Sequence, residues 1–350
     1  MSVQPRVDLD TLPSYVAGRT VPDAIKLSSN ESPGGPLPSV AKAIAAAASD
    51  VNRYPDNAVT QLSQRLADKV RLPVEQIAVG CGSVSLCQQL VQAMCAPGEE
   101  VVFAWRSFEA YPTVTQVAAA AQVRVPLDAT LSHDLDAMLA AITPRTRLVF
   151  VCNPNNPTGT AVRRDTLARF LDAVPSNVLV ALDEAYREYV TDPGVPDGLE
   201  FVRERGNVAV LRTFSKAYGL AGLRVGYLVG PEEITSAVKK VYVPFSVNAL
   251  AQTAALACLD AEDELLARCT QTAAERERVR AQLCDLGYEI PESQANFVWL
   301  PLGERALEFF DHMLANKIVV RAFQGDGVRV TVSSPDENDQ FLMAAATFPR

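Results

Sequence analysis

Imidazole is nearly absent from this chain: His133 and His312 are the two histidines among 350 residues. Zinc hydrolases and enzymes built on Ser-His or Cys-His pairs need histidine in the site, so the sequence argues against them and no metal is expected. His133 lies in the polar connection Leu131-Ser132-His133-Asp134 and His312 in a predicted helix, where each reads as a surface or packing residue. Lysine, tyrosine and the carboxylates remain as acid-base candidates. No C-x-x-C pair occurs among the seven cysteines, which sit mostly in apolar or helical stretches and read as buried free thiols of a cytoplasmic protein. Positive charge is also in deficit. A net charge of -9 offers no footprint for nucleic acid or for an anionic membrane surface, which leaves a small molecule as the expected partner. No apolar run is long enough to span a bilayer, and Met1 to Asp10 lacks the basic-then-apolar order of a targeting segment. The Ala-rich stretch 41–48, beside Lys42 and Asp50, reads as an amphipathic helix packed on a core. Internal repeats and low-complexity linkers are missing as well.

What is present is an ordinary globular composition, 48% hydrophobic and 21% charged, on a chain long enough for one large domain and a smaller one. Short β-rich runs recur between helical patterns: Ile77-Gly80, Val101-Ala104, Gln122-Leu127, Arg147-Cys152, Val178-Asp183, Val208-Phe214 and Arg224-Gly230. Such runs, separated mostly by helix-length segments, predict an α/β domain with a mainly parallel sheet covered on both faces. The connection from Phe214 to Arg224 is too short for a parallel crossover, so those two strands are expected to be antiparallel or non-adjacent and the sheet mixed. Helices are predicted from Glu232 to Val241, from Ala249 to Asp260, and over the charged stretch Glu262 to Leu286 before Gly287. A second, smaller α+β unit follows, with strands at Phe297-Leu300, Ile318-Phe323 and Val328-Ser333, a helix at Gly303-Asn316 and another after Pro335.

The most informative string runs from Arg212 to Gly226 and sets Lys216 between hydroxyl side chains, with Arg224 eight residues on. A lysine that condenses with an aldehyde must be neutral, which requires desolvation or neighbouring positive charge. Arg224 offers charge, and Thr213, Ser215 and Arg224 together suit a phosphate. The plain alternative is a strand followed by a Gly-rich turn with a solvent-facing lysine. Ligands of open α/β sheets bind beyond the carboxyl ends of the strands, which singles out three more segments. Cys81-Gly82-Ser83 permits close backbone approach, with Ser83 as a helix cap and the free amides as an anion site, or is an ordinary turn. Asn153-Pro154-Asn155-Asn156-Pro157-Thr158-Gly159 is a rigid loop able to hold an asparagine amide, or a strand-to-helix turn. Asp183, ending an apolar strand, is costly without a cation and would suit a protonated pyridine nitrogen; otherwise it caps the next turn. Tyr186 either reaches the ligand or packs. On a predicted strand Arg329 alternates with Val328 and Val330, which puts it with Thr331 as a carboxylate fork or as an exposed arginine. Arg321 is open to the same two readings.

Together these segments resemble the pyridoxal-phosphate aminotransferases of fold type I, in the branch of histidinol-phosphate and aromatic amino-acid aminotransferases. The matching pieces are Ser29-Asn30-Glu31, Asn52 to Asp56, Gly80 to Ser83, Asn153 to Gly159, Asp183 to Tyr186, Thr213 to Lys216, Gly222-Leu223-Arg224 and Arg329, in family order over nearly the whole chain. The resemblance implies a seven-stranded mixed sheet in a large domain over 31–250, an N-terminal arm over 1–30 and a small α+β domain over 251–350. It implies that Lys216 forms the Schiff base with pyridoxal phosphate, that Asp183 pairs with the pyridine nitrogen, and that Asn156 and Tyr186 bond the ring oxygen. Phe108 would stack on the ring, while Thr213, Ser215, Arg224 and the Gly82 and Ser83 amides hold the phosphate. Tyr54 would reach the cofactor of the neighbouring subunit, so that a homodimer completes the site. Arg329, Asn30, Arg321 and Tyr15 would contact substrate, with Tyr242-Val243-Pro244-Phe245 near the side-chain pocket.

Val84-Ser85 stands where many histidinol-phosphate enzymes carry Asp-Glu, and Asn30 to Pro36 lacks the aromatic residue of their usual loop. The stretch Cys81 to Leu90, with Trp105 to Glu109, is more similar to the aromatic group. The implied activity is therefore ping-pong transfer of an amino group between an aromatic amino acid and 2-oxoglutarate. Histidinol-phosphate transamination is the rival, a decarboxylase of the same fold a more distant one, and a binding protein with a vestigial cofactor site a third.

Overall fold

The computed structural model describes residues 3–4, 6–12 and 21–349. Its central sheet contains β1 (Ile77–Gly80), β2 (Glu100–Trp105), β3 (Ala121–Pro126), β4 (Thr146–Cys152), β5 (Leu179–Asp183), β6 (Val208–Thr213) and β7 (Gly226–Val229). Their spatial order is β1-β7-β6-β5-β4-β2-β3. Strand β7 runs antiparallel to both β1 and β6, and the remaining pairs are parallel. The sheet is thus mixed, and the short link after Thr213 joins adjacent antiparallel strands. Strand β7 begins at Gly226 rather than at Arg224, because Arg224 has φ +61° and a left-handed residue cannot continue an extended strand.

Side chains of a strand alternate between the two faces, and both faces of this sheet are covered. Val102, Val149, Val151, Val180, Leu182 and Val210 belong to one core. Their neighbours Val101, Phe103, Leu148, Phe150, Leu179 and Leu211 belong to the other. The helix Ala249–Asp260 packs into the first core through Ala251, Ala254 and Cys258. The long helix Glu262–Asp285 ends as its glycine predicts: Gly287 takes φ +84° and donates to Cys284, while Tyr288 donates to Leu283.

A third core lies in the smaller unit, where Leu27, Leu283, Phe309, Val328 and Phe341 meet. Its antiparallel sheet orders Arg321–Phe323, Gly327–Thr331 and Phe297–Leu300. The single strand expected over Ile318-Phe323 is divided at Val320. Ile318–Val319 pairs in parallel with Ile25–Lys26, while Arg321–Phe323 turns to pair with Gly327–Thr331. The two halves thus belong to different sheets, and Val320 between them is buried. The cysteines also depart from expectation: all are free thiols, but Cys284 is exposed and Cys81 only half-buried. No helix among the described residues is long and apolar enough to cross a membrane.

Candidate active site

The carboxyl ends of β2, β4, β5 and β6 open onto one cavity of about 490 Å³, with Ser83, Lys216 and Arg224 among its lining residues. A hollow of about 660 Å³ beside Leu131, Cys284 and Tyr288 contains none of the predicted site residues.

Asp183 closes β5 between Cys152 of β4 and Leu211 of β6. Its carboxylate accepts a hydrogen bond from Tyr111 Oη at 2.8 Å and one from the Ala185 amide at 3.3 Å. Burial pushes its pKa up to about 6, against the effect of those two donors. Tyr111 is itself fixed by stacking on Phe150, with ring centroids 4.5 Å apart. Sequence reasoning missed Tyr111. The signal was the predicted need of Asp183 for a partner, but nothing local connects residues 72 positions apart.

Lys216 follows β6, and its ammonium nitrogen donates to the Ser29 carbonyl at 3.0 Å. Part of the side chain is open to the cavity, yet the walls around the amine desolvate it. That desolvation lowers its pKa to about 7, assisted by the positive charges of Arg329 and Arg224 and opposed by Glu31. The same cavity therefore holds a lysine near neutrality and a carboxylate that resists ionisation.

Polar donors gather beside Lys216. Arg224 donates to Ser215 Oγ at 3.2 Å, and the Ser215 amide donates to Thr213 Oγ1 at 3.1 Å. A Cβ on Gly82, whose φ is +76°, would lie 2.5 Å from Arg224 Nη2; only glycine lets the guanidinium rest against this backbone. A Cβ on Gly226 would meet the Ser83 amide nitrogen at 2.7 Å. The helix here spans Gly82–Met94, and Cys81 occupies its cap position without a side-chain bond. Ser83 is therefore not the cap expected from sequence: the helix starts one residue before it, and Ser83 stands in the first turn among the open amides.

On the opposite wall, Tyr186 Oη accepts from Asn30 Nδ2 at 3.0 Å and from Asn156 Nδ2 at 3.2 Å. Arg329 donates to Asn156 Oδ1 at 2.6 Å and to the Ser28 carbonyl at 2.7 Å. Thr331 shares this face, as the alternation predicts, and accepts from the Asn30 amide at 2.9 Å. Arg321 also lines the cavity but is engaged by Glu109 at 3.0 Å. Phe108 forms part of the wall, edge-on to Tyr111.

The loop after β4 is held from behind by residues that sequence reasoning undervalued. Asn155 Oδ1 accepts from Ser107 Oγ at 2.8 Å and contacts His133 Nε2 at 3.0 Å. Burial lowers the His133 pKa to about 4, so it is a neutral packing residue. Tyr54 is not brought into this cavity. It is 83% exposed and packs on Phe245, with ring centroids 4.6 Å apart. The 242–245 segment likewise lines no part of the cavity. Tyr15 lies outside the described residues.

Comparison with known proteins fits this geometry. The aminotransferase class I and II family matches residues 22–344. A curated aromatic amino acid aminotransferase of Thermobifida fusca is 59% identical over 99% of this chain and 97% of its own length. One of Mycolicibacterium smegmatis is 59% identical over 98% of this chain and 94% of its own. Among solved structures, a histidinol-phosphate aminotransferase from Sinorhizobium meliloti in complex with pyridoxal-5'-phosphate superposes with a TM-score of 0.90 at 29% identity, covering 99% of this chain and 97% of that one. The cavity at the carboxyl ends of the sheet thus sits in a chain that belongs to the class I and II aminotransferases, with the fold of the type I enzymes.

Proposed function

We propose that this aminotransferase carries pyridoxal 5'-phosphate on Lys216 and moves amino groups between phenylalanine, tyrosine or tryptophan and 2-oxoglutarate in a ping-pong cycle. One observation carries the reading: the desolvated Lys216 amine shares a cavity with a buried Asp183 carboxylate that is bonded by Tyr111 and a backbone amide rather than by a cation. A buried carboxylate in that state fits a protonated ring nitrogen.

The remaining residues fit the same cofactor. Thr213, Ser215, Arg224 and the Gly82 and Ser83 amides form a donor set for its phosphate, and Asn156 and Tyr186 for its ring oxygen. Phe108 offers a flat apolar wall to the ring. When bound, pyridoxal phosphate supplies an aldehyde that condenses with amines and a ring that accepts electrons from the substrate α-carbon. Asp183 keeps the proton on the ring nitrogen by its charge. Lys216, poised near neutrality, would serve as the base that takes the proton from the substrate α-carbon. The Arg329 guanidinium would hold the α-carboxylate, with Asn30 beside it.

The aromatic preference is supported by the names of relatives at 57–59% identity. Exposed Tyr54, beside exposed Phe245, supports a homodimer in which Tyr54 reaches the partner's cofactor. The free thiols support a cytoplasmic location. For the domains we keep the arm over 1–30, the large domain over 31–250 and the small domain over 251–350, with the helix Ala249–Asp260 packed on the large side.

The decisive experiment combines visible absorbance with half-reactions. Borohydride should fix the cofactor on the wild-type protein and not on Lys216→Ala. Phenylalanine should convert the bound cofactor to its amine form with a higher kcat/KM than histidinol phosphate. A large preference for the phosphate ester would overturn the aromatic assignment, and an undiminished borohydride adduct in Lys216→Ala would overturn the lysine.

A further inference from the structure

Thr331 is buried behind the wall of the active-site cavity and reaches it through Asn30. The Asn30 amide donates to Thr331 Oγ1 at 2.9 Å, and Thr331 Oγ1 donates in turn to Asn30 Oδ1 at 3.1 Å. Asn30 itself is held in the left-handed region at φ +54°, and its carbonyl accepts from Asn296 Nδ2 at 3.1 Å. These bonds fix which end of the Asn30 side chain faces the cavity. A backbone amide can only donate, so the hydroxyl that accepts from it has its own proton to place, and Oδ1 receives it. Nδ2 is thereby turned to Tyr186 Oη, 3.0 Å away. Asn156, whose Oδ1 accepts from Arg329, presents its own Nδ2 to the same phenol at 3.2 Å.

With two N–H donors on its oxygen, Tyr186 keeps its own proton to give, and among the described residues nothing takes it. The phenol lines the cavity, so that proton is offered to whatever fills it. We infer that Thr331 is a positioning residue: acting through Asn30, it makes Tyr186 a hydrogen-bond donor toward the ring oxygen of the cofactor. The inference rests on the aminotransferase reading above and deepens it. Without the Thr331 hydroxyl, the Asn30 side chain can turn Oδ1 to Tyr186 and take the phenol proton itself, and the ring oxygen loses a donor. When the cofactor is joined to Lys216, that oxygen also shares the proton of the lysine nitrogen, and a second donor weakens its hold on it. Loss of the Tyr186 donor therefore raises the pH at which that proton leaves.

The test titrates the visible absorbance of the holoenzyme with pH, which reports that proton. In Thr331→Val, which keeps the branched shape, the midpoint should rise by about one pH unit. Thr331→Ser retains the hydroxyl and should keep the wild-type midpoint within about 0.2 pH unit. Tyr186→Phe should raise the midpoint at least as far, and in that background Thr331→Val should add less than about 0.3 pH unit. The charged groups facing Lys216, which are Arg329, Arg224, Glu31 and Lys26, are the same in every variant, so the difference isolates the hydroxyl groups. The double variant separates positioning from loosening, because Lys216 also donates to the Ser29 carbonyl beside Asn30. A loosened segment would act on the lysine with or without the Tyr186 hydroxyl. Should Thr331→Val fail to fold, Thr331→Ala must give the same rise. An unmoved midpoint in Thr331→Val, the same rise in Thr331→Ser, or a rise that persists in full in the Tyr186→Phe background overturns the inference. If the midpoint moves as expected while phenylalanine leaves the bound cofactor unconverted, Thr331 stands and the aminotransferase reading falls.

Discussion

Asp183 and Glu184 are consecutive in the chain, both acidic and both 2% exposed, yet the fold gives them opposite surroundings. Glu184 accepts from Arg212 Nε at 3.1 Å and Nη2 at 2.7 Å, and from the Gly198 amide at 2.7 Å. Arg212 also reaches Asp197 at 2.7 Å, and Arg187 stands 3.9 Å from the same carboxylate, so on this side of the sheet the carboxylates are met by the protein's own cations. Asp183, one residue earlier and therefore on the other face, opens onto the cavity with Tyr111 and an amide as its donors. Burial is equal and satisfaction is not. The protein completes one carboxylate with its own cation, and leaves the other to be completed by the ring nitrogen of the cofactor proposed above.

Substituting each carboxylate separates these roles. Asp183→Asn should lower the single-turnover rate with phenylalanine by about a thousandfold or more, since charge preorganised at a reacting ring is a large catalytic term. A loss below about tenfold in stopped-flow absorbance would place Asp183 with the structural residues. Glu184→Gln should cost the fold about 4 kcal/mol, because it strands a buried guanidinium that Asp197 only partly satisfies, and should leave the chemical step within about tenfold. Urea denaturation together with single-turnover rates would measure both halves of that statement.

The smallest effect concerns pH. The folded-state pKa of Asp183 lies near 6, above its usual 3.8, so the folded protein without cofactor holds this proton where the unfolded chain releases it. Stability of that form should therefore fall as pH rises from about 4 to 6, by up to about 3 kcal/mol relative to Asp183→Asn. Cofactor binding, which provides a cation, should close the gap between the two proteins at pH 7. Equal pH profiles in urea denaturation would mean that Asp183 is already matched within the protein.

Much of the large sheet was legible because alternation and turn residues are local properties. Six of its seven strands lie within one residue of the runs read from sequence, and the seventh starts two residues late for a reason no pattern carries, the positive φ of Arg224. The split at Val320 was hidden for a related reason, since an unbroken apolar run does not reveal that its halves have different partners. In the candidate site, Lys216, Asp183, Tyr186 and Arg224 could be singled out in advance because each lies at the end of a strand or in the link after it and carries chemistry awkward to bury without purpose, while Asn156 was picked out of its loop by the family resemblance. Tyr111, Glu109 and His133 could not. Their importance lies in which distant atom they touch, and an isolated tyrosine, glutamate or histidine on a helix or loop looks ordinary.

By itself, then, the amino-acid order determined the α/β character of the chain, the places where strands end, and the residue types gathered around Lys216, because periodicity, turn preference and side-chain chemistry act over a few residues. Tertiary structure alone decided that the Lys216 amine is desolvated, that Asp183 meets a phenol where Glu184 meets a guanidinium, and that Glu109 engages one of two facing arginines. Those outcomes depend on distances across the packed sheet and between the two units. Electrostatic and hydrogen-bond energies change over a few ångströms, a scale on which separation along the chain carries no information.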